Sequence, residues 1–297
     1  MSATSGPPHV AAATRIDPDA TLGAVRLTVS DLDRSRTFYE RALGLEATER
    51  DDGTLALGVA GEPALIELQG DSAAPRLNRR APGLYHVAIL VPTRQDLAFA
   101  LARLAVTRWP LDGASDHLVS EALYLSDPDG NGLEIYRDRP RDEWRHSDGQ
   151  LQMATLPLDL DDVLAELRDA PGLQEQAPTG TRVGHVHLQV SDIATAEAFY
   201  HGVLGFDVMV RGYPGALFVS AGGYHHHIGL NTWHSAGASP AQTGSVGLRS
   251  FTISLPDSRA LDAVAARIEA AGVPYERSPD GIVVRDPFQN TVVLTLD

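Results

Sequence analysis

The feature that most constrains this chain of 297 residues is an internal repeat: four segments share one order of signals, an apolar strand, an amphipathic helix, then short strands closing on a turn. The first three openings are GAVRLTVSDLDRSRTFYERALGLE (23–46), LYHVAILVPTRQDLAFALARL (84–104) and GHVHLQVSDIATAEAFYHGVLGFD (184–207). The fourth is LRSFTISLPDSRALDAVAARIEAAGV (248–273). The first and third align almost position for position, with Phe38 and Tyr39 matching Phe199 and Tyr200, while the second and fourth share a strand, a Pro turn and an Ala-rich helix. Two kinds of unit therefore alternate.

Within the first and third units an alternating strand ends at Ser-Asp, which caps the helix, and a Leu-Gly turn stops it. The second and fourth end alike, in LYLSDPDGNGLEIY (123–136) and IVVRDPFQNTVVLTL (282–296), each a strand, an Asp-Pro turn and a final strand. The expected organisation is a disordered tail over 1–20, a pair of units over 21–140, a connector over 141–181 and a second pair over 182–297. The connector is charged and Pro-bearing, with one helix expected over 160–170.

Composition narrows the chemistry. Cysteine is absent, so there is no disulfide, thiolate ligand or cysteine nucleophile, and a metal must be held by nitrogen and oxygen. All 24 basic residues are Arg, which removes lysine Schiff-base chemistry. A net charge of -15 opposes binding to nucleic acid or anionic lipid, and no segment has the apolar length of a membrane span. A cytoplasmic protein acting on a small molecule is expected. Neither a phosphate-binding glycine loop nor a Gly-x-Ser-x-Gly elbow occurs, which argues against nucleotide cofactors and serine-type acyl transfer.

Repeated βαβββ modules with these signatures resemble the vicinal oxygen chelate superfamily from residue 22 onward, and DHLVSEALYLSDPDGNGLEIY and GGYHHHIGLNTW are similar to four-module catechol 2,3-dioxygenases. The resemblance implies an α+β fold in which four βαβββ modules form two half-open barrel domains. It also implies an extradiol ring-cleaving dioxygenase that uses Fe(II), with Mn(II) as an alternative, and O2 to open a small aromatic diol. A homo-oligomer would be compatible with it.

The family's first-strand ligand is a His five residues before the strand's terminal Val, which selects His86 (Val91) and His185 (Val190); Ala24 and Ser250 stand there in the outer modules. Its last-strand ligand, seven residues after the Asp of the Asp-Pro turn, is Glu134 in the second module and Val293 in the fourth. His86, His185 and Glu134 make a two-His, one-carboxylate set that leaves metal positions open. Pairing of the second module with the third would gather this set in one cavity; pairing of the first with the second would instead collect Glu67, His86 and Glu134.

The family pattern also places a Tyr ten residues before the Glu, which is Tyr124, and a His on a closing strand, which is His226. His226 is expected to take and return a substrate proton, and Tyr124 to orient substrate through its hydroxyl. His117 is expected beside them, within reach of bound diol, and His187 behind His185. On a strand, His225 and His227 would face away from His226. His9, His146, His201 and His234 are given no role. The competing functions are a glyoxalase-type lyase or isomerase using Ni or Zn, and a metal-free binder like the bleomycin-resistance proteins.

Overall fold

The computed structural model describes residues 15–147, 150–278 and 281–296. The first module comprises β1 (Thr21–Val29), α1 (Leu32–Arg41), β2 (Glu46–Glu49), β3 (Leu55–Gly58) and β4 (Ala64–Gly70). The second comprises β5 (Gly83–Leu90), α2 (Arg94–Thr107), β6 (Gly113–Asp116), β7 (Ser120–Ser126) and β8 (Gly132–Asp138). A connecting segment holds β9 (His146–Ser147), β10 (Gln150–Leu151), β11 (Leu156–Pro157) and α3 (Leu160–Ala165). The third module has β12 (Arg182–Gln189), α4 (Ile193–Glu197), β13 (Asp207–Val210), β14 (Ala216–Ser220) and β15 (Ile228–Asn231). The fourth has β16 (Gly247–Leu255), α5 (Ser258–Ala270), β17 (Tyr275–Ser278), β18 (Gly281–Arg285) and β19 (Thr291–Leu296).

Sheet pairing joins modules that are not all consecutive. A nine-stranded sheet runs β11-β6-β7-β8-β5-β12-β15-β14-β13, the second module with the third, and an eight-stranded sheet runs β17-β18-β19-β16-β1-β4-β3-β2, the fourth with the first. The seams are antiparallel: β5 on β12 sets His86 opposite His187 and Ala88 opposite His185, while β1 on β16 sets Arg26 opposite Ser250. One contiguous apolar core, from Val25 and Ile66 through Val87 and Val186 to Phe251 and Leu294, draws on all four modules. Between those sheets and the helices lies most of the buried apolar surface, the main driving force of the fold.

The repeated sequence signals have local causes. Asp31 and Asp192 accept the backbone N–H of Arg34 and Thr195, and Thr93 forms a reciprocal capping box with Asp96, so each helix starts where its strand ends. Gly44 ends the first helix at a φ of +75°, and a side chain there would also collide with the backbone of Glu175 in the connecting segment. In the third module the helix continues from α4 into a π turn over Ala198–Val203.

The two sheets are stapled through the Asp-Pro turns. Asp127 accepts the backbone N–H groups of Asp129 and Asn131 and the Asn131 amide, and its second oxygen also accepts the Tyr39 hydroxyl at 3.2 Å. Asp286 repeats this with Phe288, Asn290 and the Tyr200 hydroxyl at 2.9 Å. The repeated Phe-Tyr pair is thus more than core filling: each Tyr reaches from an odd-numbered module into the turn of the next.

Three expectations change at the edges. The segment over 141–181 is more than a linker, since β11 adds to the nine-stranded sheet on β6. Its helix ends at Ala165, short of the expected 170, and continues as turns. Ahead of β1, Ile16 is buried and its N–H donates to Gly205, so residues 15–20 pack on the third module; residues 1–14, including His9, lie outside the described residues. Among the described residues no helix is long and apolar enough to cross a membrane.

Candidate metal centre

Three buried side chains meet across the seam of the nine-stranded sheet. His86 comes from β5, Glu134 from β8 and His185 from β12. The Nε2 atoms of His86 and His185 lie 2.9 and 3.0 Å from the same oxygen, Glu134 Oε2, and one ligand atom from each residue falls within 4.8 Å of the others. Among the described residues this is the group of His, Asp and Glu side chains that could hold a metal ion. His86 Nε2 is buried and, despite its closeness to Glu134, lacks the alignment of a hydrogen bond. A buried imidazole nitrogen without a hydrogen-bond partner, beside a carboxylate and a second imidazole, suits a ligand better than a core residue.

Electrostatics agree with that geometry. Burial works against the charge on Glu134, but the imidazoles of His185 and His86 outweigh it and hold the carboxyl well below the usual carboxylate range. Burial lowers His185 to about 4 against the opposing pull of Glu134, so at neutral pH its ring is uncharged and able to ligate. A buried carboxylate beside the uncharged His185 carries a charge that a divalent cation would balance.

The ten-residue spacing from Tyr124 to Glu134 is the register of the β7–β8 hairpin, in which the two are direct cross-strand partners. His117 sits in the β6–β7 turn. Its Nδ1 lies 2.7 Å from the Ala154 carbonyl and its Nε2 2.6 Å from the Tyr124 hydroxyl. A carbonyl can only accept, so Nδ1 carries the proton, Nε2 is bare, and Tyr124 donates to it. The phenolic oxygen keeps its lone pairs for the cavity. Burial, with Glu134 adding to it, raises the Tyr124 hydroxyl well above its ordinary range, so it stays protonated.

His226 lies on the other side, its ring centroid 4.0 Å from that of His185 and 5.0 Å from Phe218. Burial lowers it well below the usual histidine range and leaves it neutral. His187 stacks edge-on against His86 at 5.0 Å, beside Tyr85 and Trp233, and its Nε2 has no partner. It flanks the metal cluster without joining it.

These side chains border one cavity of about 1260 Å³ that reaches from the seam of the nine-stranded sheet to Arg26, Ser250 and Arg285 of the other sheet. It exceeds the roughly 300–1,000 Å³ of ordinary small-molecule pockets. The connecting segment contributes Met153, Ala154 and Thr155 to its wall, and Trp233 and His234 line it too; none of these was assigned from sequence. A segment without periodicity offers no signal for such a role.

One sequence expectation is corrected, and the less favoured of the two module pairings is set aside. His225, His226 and His227 precede β15 instead of lying on it, so strand alternation does not govern them. His225 turns toward Asp138 and contacts His226, while His227 accepts the Ala221 N–H at Nδ1 and pairs with the Ser220 hydroxyl. The alternative set with Glu67 does not form: Glu67 belongs to the eight-stranded sheet, where Arg26 at 2.6 Å and Arg50 at 2.8 Å neutralise it.

A family model for the glyoxalase/bleomycin resistance protein/dioxygenase superfamily matches residues 21–135 and 182–294. The chain belongs to this superfamily. Among curated proteins it is 44% identical over 284 residues to the catechol-2,3-dioxygenase of Bacillus subtilis (strain 168), covering 94% of this chain and 98% of the relative. The fold is similar to that of a Bacillus subtilis protein put forward as a dioxygenase, with a TM-score of 0.65 at 17% identity over 95% of this chain and 86% of the other. Maize glyoxalase I shares it as well, with a TM-score of 0.57 at 15% identity, 94% of this chain and 92% of that one being covered.

Proposed function

We propose that this protein is an extradiol dioxygenase of the catechol 2,3-dioxygenase type, opening the ring of a catechol-like diol next to its two hydroxyls with O2. The observation that carries it is the convergence of His86, Glu134 and His185 on one point of a large cavity wall, with a neutral histidine and a Tyr–His pair on either side. The 44% identity to a catechol-2,3-dioxygenase over nearly the whole chain supports the same reading.

His86, Glu134 and His185 would hold Fe(II), with Mn(II) as the alternative that this oxygen and nitrogen donor set also accepts. A metal held there would supply coordination positions for the two diol oxygens and for O2. The protein's own groups do the rest. His226, uncharged and facing the cavity, accepts a hydroxyl proton from the diol and returns it as the ring opens. Tyr124, its O–H committed to His117, presents oxygen lone pairs toward substrate and sets its orientation. Phe218 and the edge of Trp233 give apolar wall against the aromatic ring, and the length of the cavity leaves room for ring substituents.

Glu67 distinguishes this reading from a glyoxalase-type isomerase that would need a second ligand carboxylate. Glu134→Ala is expected to abolish iron binding and turnover together, while Glu67→Ala leaves iron content unchanged. Elemental analysis after Fe(II) loading decides it, and iron lost from Glu67→Ala but kept by Glu134→Ala would overturn the assignment.

A further inference from the structure

Behind His226 runs a chain of hydrogen bonds that meets a second one at the carboxylate of Asp138. His225 Nδ1 lies 2.7 Å from His226 Nδ1, and His225 Nε2 lies 2.9 Å from Asp138 Oδ1. The Tyr224 hydroxyl donates to both oxygens of the same carboxylate at 3.1 and 3.0 Å, and the Tyr136 hydroxyl is 2.7 Å from that of Tyr224. His225 has no exposed side-chain surface. This arrangement is set by β8, whose alternate residues Glu134, Tyr136 and Asp138 place a ligand, a spacer and the carboxylate on one face.

The donors and acceptors can be assigned in order. A carboxylate only accepts, so His225 Nε2 carries a proton and donates it. In a neutral His225 the Nδ1 is then a lone pair, and the short contact to His226 is a hydrogen bond only if His226 Nδ1 donates. That leaves His226 Nε2 without a proton. This atom forms no hydrogen bond with the described residues and is not sealed from the cavity that His226 lines. An unconstrained imidazole in water favours the opposite tautomer, so the protein spends a buried His and a carboxylate on reversing it.

We propose that Asp138 and His225 are positioning residues that hold His226 in its Nδ1–H tautomer, so that a bare Nε2 faces the substrate. The inference deepens the ring-cleavage reading, in which His226 must accept a proton. The step is balanced: the diol O–H bond breaks, its proton forms the Nε2–H bond of His226, and the positive charge that results on His226 is backed through His225 by Asp138. When the proton returns to the product, the same bonds restore the bare Nε2. Orientation of a base by a carboxylate acting through its far nitrogen is effective because a wrong tautomer leaves geometry intact and removes the acceptor.

Two readouts test the proposal, one without turnover. Two-bond proton–nitrogen spectra of metal-free protein labelled with 15N-histidine, with His226 assigned by loss of its signals in His226→Gln, should show a protonated Nδ1 and bare Nε2. In His225→Leu the pattern should switch to Nε2–H, while His225→Asn, whose amide oxygen can stand where Nδ1 stood, should keep it. With Fe(II)-loaded protein and catechol, His225→Leu should lower kcat by about 100-fold with KM unchanged, and His225→Asn should recover most of that loss. An Nε2-protonated His226 in the wild-type protein, or His225→Leu with both tautomer and kcat intact, would overturn it. Because the spectra need no substrate, they decide the tautomer even if ring cleavage itself were not observed.

Discussion

At the residue scale, direction of hydrogen bonding decides chemistry more than proximity does. Tyr124 and His117 sit 2.6 Å apart, yet the Ala154 carbonyl is what makes the tyrosine the donor. Tyr124→Phe removes that bond and the cavity-facing oxygen together; kcat should fall by roughly 10- to 100-fold with iron content unchanged, as read by oxygen consumption. His227 shows the same logic applied to stability. Its Nδ1 accepts the Ala221 N–H, and burial lowers it to about 3, so the folded protein keeps it neutral where the unfolded chain, near 6.5, takes up a proton. The unfolded state then binds more protons below pH 6.5, so this contribution is fully present above that pH and is lost as pH falls from 6.5 toward about 3. Urea midpoints of metal-free protein should therefore drop on acidification through that window, with a shallower drop in His227→Asn. An equal slope in the two proteins would contradict the role given to His227.

His86, His185, Glu134 and Tyr124 could be selected through the family resemblance because its motif fixes each at an offset from a strand end, a turn or the ligand Glu, and the Tyr124–Glu134 offset is a hairpin register. The role of His225 could not. It depends on the path of the loop ahead of β15 and on β8 running beside it, and nothing local to the HHH triplet encodes either.

At the scale of elements, the repeat was legible because capping, turn and strand signals recur with the same residues. What was hidden is the reason for the repeated tyrosines. Tyr39 and Tyr200 each cross from a helix of one module to the Asp-Pro turn of the next, where buried Asp127 and Asp286 already accept three donors. Tyr39→Phe and Tyr200→Phe should each cost about 1–2 kcal/mol in chemical denaturation, with the same sign and similar size because the two settings are copies. A neutral outcome for both would show that the backbone and Asn amide donors within each turn suffice without the tyrosine. The connecting segment was the least legible element: strands of two residues, β9 to β11, have no periodicity to detect, and β11 joins the sheet only because β6 is an open edge.

At the scale of the whole molecule, the four similar modules bring together one candidate metal cluster among the described residues because the pairing crosses the sequence. Joining the second module to the third puts two His and one Glu at a single seam, whereas the seam of the first and fourth has Arg26, Ser250 and a Glu67 already held by guanidinium groups. Nothing in composition or periodicity distinguishes the two pairings; only the distribution of ligand residues among the copies does. The eight-stranded sheet carries a carboxylate, Glu67, paired with two arginines, and residues such as Arg26, Ser250 and Arg285 shape the far wall of the shared cavity.

The most direct measurement is anaerobic loading of the protein with Fe(II), followed by catechol and air, with oxygen uptake and the visible absorbance of the product followed together. One O2 consumed per diol, with the yellow of a ring-opened semialdehyde rising in step, is expected of an extradiol dioxygenase. Tight Fe(II) binding with neither oxygen uptake nor colour, for catechol and for substituted catechols alike, would contradict it.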